Sequence, residues 1–232
     1  MGLDSADTAL LDHYVKRKRI LKRGQILYRA GEAFTCVYAI RSGSVKTYIS
    51  TDDGRLQITG FHIAGELLGL NAMDEKRYNC EAMALETTSV CEISLECFEE
   101  LVRKIPSVHY QMLKIMSKEI KHNQELMLLL GKKNAEERLA TYLLALSRRF
   151  AMRNYSATQF NLSMSRGDIG DYLGIAEETV CRLFTRFQDE GLITSERRLI
   201  VLNDLKRLSS VAREPLPAVS QVIPLLRPTP SR

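Results

Sequence analysis

The sequence predicts an α+β chain in three parts: an antiparallel β roll or sandwich, one long helix, and a small domain carrying a helix-turn-helix with a β wing. Three observations carry this. Short β-prone runs recur between glycines through residues 20–100, the apolar period turns helical after Pro106, and residues 165–191 set two short amphipathic helices on either side of a glycine.

The β part comes first. "QILY", "VYAI", "VKTYIS", "LQITGF" and "SVCEI" are separated by turn signals at Gly31, Gly43, Gly54 and Gly65, a spacing of 11 to 12 residues. "SGS" and "DDG" predict hairpin turns, since glycine supplies the positive φ that such turns need. Ahead of them, "VKRKR" at 15–19 reads as a solvated helix end rather than as a nucleic-acid patch.

Beyond Pro106, His109, Leu113, Met116, Ile120, Asn123, Met127 and Leu130 recur at alternating steps of four and three. That is a heptad seam. Met112, Ile115, Leu126 and Leu129 form a second stripe on a neighbouring face. A helix with two apolar stripes can bury one against its own domain and offer the other to a second copy. The alternative is a helix buried on both sides within a monomer. The lone asparagine favours pairing, because such a residue sets register between paired helices. Gly131 is expected to end the helix, and "KKNAEERLATYLLALSRRFA" to start the next.

Ser165 and Asp168 have the spacing of a capping box opening a helix with Ile169, Tyr172 and Leu173. Gly174 allows a sharp turn, Ile175 plugs the corner, and "EETVCRLFTRFQDEG" forms the second helix. Its Val180, Leu183, Phe184 and Phe187 share one face; Glu178, Cys181, Arg182, Thr185 and Arg186 share another. The first set anchors a helix on a core. The second can read bases in a major groove: arginine reaches both guanine acceptors and a carboxylate accepts from the cytosine amino group. "LITSERRLIVL" predicts two β runs around a charged turn, a wing beside that helix. Thr185, Arg186, Arg166 and Arg197 are the candidates for phosphate or flanking contacts. On spacing alone, a purely structural helix pair stands as the alternative.

The predicted divisions are a β-roll domain at 1–105, a dimerisation helix at 106–131, a winged helix-turn-helix at 132–208 and a disordered tail at 209–232. Five of the six prolines fall from Pro215 onward.

Composition bounds the rest. Hydrophobic content is 45%, yet no apolar run approaches the roughly 20 residues of a membrane span. "MGLDSADTALL" lacks a basic region followed by an apolar stretch, so nothing marks the chain for secretion. Cysteines 36, 80, 91, 97 and 181 form neither a disulfide framework nor a CxxC pair. A cytoplasmic protein is expected. The formal charge of +5 permits nucleic-acid binding without arguing for it. No segment carries a nucleophile, base and orienter, or a metal-ligand set, so an enzyme is not expected.

"RGDIGDYLGIAEETVCRLFTRFQDEGLI" resembles the DNA-binding motif of the CRP/FNR superfamily of bacterial transcription regulators. "YAIRSGSVKTY", "QITGFHIAGELLG", "ALETTSVCEI" and "LLLGKKNAEERLA" extend the resemblance to the FNR (fumarate and nitrate reduction) branch, over roughly residues 10–205. The resemblance implies a cyclic-nucleotide-binding-type β roll, a dimer helix and a winged helix-turn-helix. It implies a homodimeric regulator, mainly an activator, whose partners are promoter DNA and RNA polymerase. Glu178 and Arg182 match the family's base readers, and Cys181 stands where the FNR pattern has serine. The site implied is an inverted repeat of TTGAT-like half-sites, in anaerobic or redox-related metabolism. The alternative is a ligand-binding sensor module that no longer binds DNA.

The resemblance also limits the cofactors. Cyclic-AMP-binding members hold the phosphate with an Arg-Ser pair where this chain reads Tyr78-Asn79-Cys80, with Arg77 only adjacent, so cyclic AMP is not expected. FNR proteins hold a [4Fe–4S] cluster on four cysteines. Cys91 matches the β-roll ligand; the other three would precede residue 1. No cofactor is therefore expected from the chain as written, and a cluster only if cysteines stand upstream. Finally, the FNR branch has an acidic residue where this seam has Asn123. Losing that like-charge repulsion implies a dimer that needs no signal to form.

Overall fold

The computed structural model describes residues 17–51 and 53–214. These divide into two compact units, with the division between Ile120 and Lys121.

The first unit is a β roll. Its strands are β1 (Arg17–Leu21), β2 (Ile26–Tyr28), β3 (Cys36–Ser42), β4 (Ser44–Ser50), β5 (Leu56–Ile63), β6 (Leu67–Leu68), β7 (Glu81–Ala84) and β8 (Thr88–Ser94). They form two four-stranded sheets, in the orders β1-β8-β3-β6 and β2-β7-β4-β5. Inward residues alternate along each strand, so Val37 and Val90 of one sheet and Val45 and Ala82 of the other are fully buried in one core.

Two local expectations change here. Arg17–Leu21 is a strand paired antiparallel with Thr88–Glu92, not a helix end; Val15 and Lys16 lie outside the described residues. The "SGS" turn is a corner between the sheets rather than a hairpin, since β3 pairs with β8 and β4 with β5 and β7. Gly43 is required at this corner: its φ is +81°, and a Cβ would sit 2.5 Å from Thr88 Oγ1. Gly54 does close a hairpin, between β4 and β5, with the Thr51 amide donating to Arg55 O at 2.9 Å.

Helix α1 (Leu95–Lys104) is capped by Ser94, whose side chain accepts from the Cys97 amide, and it lays Phe98 and Leu101 on the roll. Pro106 opens α2 (Pro106–Lys132), a position where its missing N–H costs nothing. Val108 and Met112 join the roll's core. Gly131 lies within α2 rather than ending it; the chain leaves the helix at Lys133 and Asn134.

In the second unit, α3 (Ala135–Ala151) starts from a capping box of Asn134 with Glu137 and buries Leu139, Leu143, Leu144 and Leu146. Helices α4 (Arg166–Leu173) and α5 (Glu177–Asp189) follow. The wing has three strands, β9 (Gln159–Asn161), β10 (Ile193–Glu196) and β11 (Leu199–Leu202), in the order β10-β11-β9. Last comes α6 (Leu205–Ala212), capped by Asp204. The expected tail boundary at 208/209 falls inside α6, where Leu208, Ser209 and Ala212 are all buried. Lys133 fastens this end: its Nζ donates to Thr141 Oγ1 at 2.7 Å and lies 2.6 Å from Glu214 Oε1, while Glu214 Oε2 pairs with Arg148. The proline-rich stretch from 215 onward lies outside the described residues. No helix among the described residues is long and apolar enough to cross a membrane.

Candidate nucleic-acid interface

The helix-turn-helix is assembled by short-range chemistry. Ser165 Oγ accepts from the Asp168 amide at 3.0 Å while Asp168 Oδ2 accepts from the Ser165 amide at 2.8 Å, closing a capping box at the start of α4. Gly174 ends α4 in the left-handed conformation, φ +63°, which lacks a steric penalty only for glycine. Gly170 matters as much. A Cβ there would lie 2.6 Å from Ile175 O, so the turn can fold back on α4 only over a glycine. Ile169, Leu173, Val180 and Leu183 are buried between the helices, while Ile175 at the corner is only half-buried.

Helix α5 separates its faces cleanly. Val180, Leu183, Phe184 and Phe187 are buried, and Glu178, Cys181, Arg182, Thr185 and Arg186 are all exposed. Glu178 and Arg182 form no hydrogen bond or ion pair with the described residues. A carboxylate and a guanidinium one turn apart thus project from the helix with no partner among the described residues. Thr185 Oγ1 instead donates to Cys181 O at 3.3 Å on its own helix.

The candidate flanking residues are placed unequally. Arg186 is exposed but occupied: its Nη1 donates to Glu136 Oε2 at 3.0 Å and its Nε to Glu190 Oε1 at 2.8 Å. Those carboxylates hold its pKa above the ordinary arginine value, the hydrogen bond to Glu190 contributing most. Arg166 is turned inward. Its guanidinium carbon sits 3.4 Å from the Phe184 ring centroid, a cation–π contact, and Nη2 donates to Ser195 Oγ at 3.0 Å. Burial pulls its pKa below the usual arginine value. Arg166 therefore ties the start of α4 to α5 and to β10. Gln188 makes a second tie to the wing, accepting from the Ser195 amide at 2.9 Å. Arg197 is exposed in the β10–β11 turn, with φ +53°. Sequence reasoning missed Glu136, Gln188 and Ser195. Their roles depend on which elements come together, and no local pattern reports that.

On α2, Leu113, Met116, Ile120 and Met127 are 54, 43, 61 and 68% exposed, His109 and Asn123 are exposed, and Leu130 is half-buried. Met112 and Leu129 of the second stripe are buried, Ile115 and Leu126 half-buried. One stripe serves the chain's own cores and the other is left to solvent. A contiguous apolar stripe of this kind marks an interaction surface.

The roll does not fit a cyclic nucleotide at the place the resemblance assigns to its phosphate. Tyr78 stacks on Tyr28 with centroids 4.0 Å apart and donates its hydroxyl to Cys36 O at 2.7 Å, and both rings are buried. Arg77 is exposed, with Nη1 donating to Gly31 O at 2.7 Å. A four-thiolate cluster does not fit the residues present either. Cys91 is buried in β8, where it pairs with Lys18 on one side and Ala39 on the other. Cys80 is buried as well, and desolvation pushes its thiol pKa up. No group of three or more His, Cys, Asp or Glu among the described residues is disposed to hold a metal.

Comparison with known proteins agrees with this architecture. Residues 18–104 match the family model of the cyclic nucleotide-binding domain, and residues 137–211 match the Crp-like helix-turn-helix domain. The chain is 50% identical over 212 residues to the transcriptional activator protein anr of Pseudomonas aeruginosa, covering 91% of this chain and 87% of the relative. It is 46% identical over 202 residues to the fumarate and nitrate reduction regulatory protein of Salmonella typhimurium, covering 87% of this chain and 81% of that one. The solved structure of FixK2 from Bradyrhizobium japonicum superposes with a TM-score of 0.78 at 32% identity, covering 87% of this chain and 98% of that chain. These relatives are transcription regulators rather than enzymes. A β roll, a long helix with an open apolar stripe and a capped helix-turn-helix, together with these likenesses, show that the chain belongs to the CRP/FNR superfamily, in its FNR branch, and is a transcriptional activator with a helix-turn-helix DNA-binding domain.

Proposed function

We propose that the chain works as a homodimer that reads an inverted repeat of TTGAT-like half-sites in cytoplasmic promoter DNA, with RNA polymerase as its downstream partner, in anaerobic or redox-related metabolism. The observation that carries this is the outward face of α5, where Glu178, Cys181 and Arg182 are exposed and the two charged groups have no hydrogen bond or ion pair among the described residues. Arginine can bond guanine O6 and N7 together, and a glutamate can accept from cytosine N4. Cys181 offers apolar contact to a thymine methyl and a weaker hydrogen bond than serine.

The exposed seam from Leu113 to Met127 supports the dimer, with Asn123 as its one polar position. Two facing amides can hydrogen-bond across a two-fold axis, where two carboxylates would repel. From the neutral seam, we infer a dimer that forms and binds DNA in air and without iron. Arg197 and the Arg186 side chain serve as phosphate contacts; Arg166 acts as an internal brace of the reading head.

A gel shift with aerobically purified protein tests the reading, using a TTGAT inverted repeat beside a scrambled duplex at one fixed salt concentration. Preferential binding of the repeat is expected. Equal binding of both duplexes, or of neither, would favour a sensor module without DNA recognition.

A further inference from the structure

One guanidinium joins two helix ends. Arg138, near the start of α3, donates from Nε to Lys133 O at 2.9 Å and from Nη2 to Leu130 O at 2.8 Å. Its Nη1 donates to Leu173 O at 2.7 Å and to Gly174 O at 3.3 Å. Leu130 lies in the last turn of α2, and Leu173 is the last residue of α4. The final carbonyls of a helix lack partners within it, and the negative end of the helix dipole gathers there. A flat cation with diverging donors satisfies both ends together; a lysine, one compact ammonium, cannot span them as a fork.

The surroundings are shaped for this side chain. A Cβ on Gly174 would lie 3.3 Å from Arg138 Nη1 and 3.5 Å from Leu130 Cδ2, so glycine leaves the guanidinium its place. A second tie joins the same two helices: Tyr172 Oη and His122 Nε2 are 3.4 Å apart. Tyr172 and Leu173 immediately precede the turn that aims α5. The two-residue link Lys133-Asn134 is thus bridged by side-chain contacts rather than left as a free hinge.

We propose that Arg138 is a positioning residue for DNA binding: it locks the turn of the helix-turn-helix to the end of the seam helix, and so fixes how far apart and at what angle a dimer holds its two reading heads. Each α5 reads one half-site, whereas the spacer between half-sites is read only through this geometry. The inference rests on the dimeric reading above.

The test measures affinity of the full chain for TTGAT inverted repeats whose spacers differ one base pair at a time, and for a duplex with a single half-site. The parent, Arg138→Lys and Arg138→Ala are compared, with thermal melts of each. The parent is expected to prefer one spacer several-fold. Arg138→Ala should flatten that preference while the ratio of single half-site to random-DNA binding stays as in the parent; Arg138→Lys should lie close to Ala. A merely structural role would lower the melting temperature without changing the spacer profile, and that result overturns the proposal. If the alanine variant does not fold, Arg138→Lys decides: an unchanged spacer profile overturns the proposal, a flattened one supports it. A parent that does not distinguish inverted repeats from random DNA overturns the dimeric reading, and this inference with it.

Discussion

Arg186 of α5 donates to Glu136 of α3 at 3.0 Å, a bond that ties the second helix of the helix-turn-helix to the helix behind it. Any phosphate reaching Arg186 must compete with this carboxylate and with Glu190. Replacing Glu136 with glutamine weakens one competitor and leaves the reading face untouched. Glu136→Gln is expected to raise affinity for all duplexes several-fold and to steepen the salt dependence by about one phosphate contact. Titrations at three salt concentrations check this; an altered sequence preference would contradict it.

Arg182 has no such competitor among the described residues. Arg182→Ala should remove a two-bonded base contact, worth about 1–3 kcal/mol of discrimination per half-site, and a dimer loses it twice. Binding to random DNA should fall far less than binding to the repeat. The fold should persist, because Arg182 makes no hydrogen bond or ion pair with the described residues. An unchanged ratio of specific to random affinity would refute the base-reading role.

Cys181 is the exposed cysteine of the chain, whereas Cys80 and Cys91 are buried and Cys36 and Cys97 partly so. Burial also keeps the Cys80 thiol protonated to higher pH, which slows its reaction further. A maleimide should therefore label Cys181 first, and a bound inverted repeat should protect it where random DNA at low occupancy does not. Cys181→Ser should bind a TTGAT half-site at least as well as the parent. A serine variant several-fold weaker would show that position 181 does not face the thymine step.

Much of this was legible in the sequence, and the failures share a cause. The two stripes of α2 and the two faces of α5 follow from helical spacing alone, so Met112 and Leu129 are buried and Met116 and Met127 exposed as their spacing predicts. The capping box at Ser165 and the glycine turn at 174 are likewise local signals. What could not be read depends on partners distant in sequence. Strand β9, Gln159–Asn161, is three residues long and exists through its pairing with β11. Residues 15–19 read as a helix end because the pairing of β1 with β8 has no local signature. The proline count places the tail boundary at 208/209, inside α6, although Asp204 caps that helix and Ala212 is buried at its far end. Arg166 looks like an exposed phosphate contact until Phe184 and Ser195 are brought beside it. Side-chain direction at a surface is a tertiary property.

Asn123 is exposed on the seam of the single chain. If its symmetry mate faces it, Asn123→Asp places two carboxylates together, and unit charges about 4 Å apart repel by about 4 kcal/mol at an effective dielectric of 20. The variant should shift toward monomer in sedimentation and lose DNA affinity in proportion, more at low salt than at high salt. A variant that dimerises as tightly as the parent would mean that Asn123 lies off the seam.

The most direct test of the central claim is the native mass of the complex that aerobically purified, iron-free protein forms on a single TTGAT inverted-repeat duplex. Two chains per duplex are predicted, at concentrations where a duplex with one half-site scrambled is left largely free. One chain per duplex, or a two-chain complex that assembles only after anaerobic reconstitution with iron and sulfide, would contradict it.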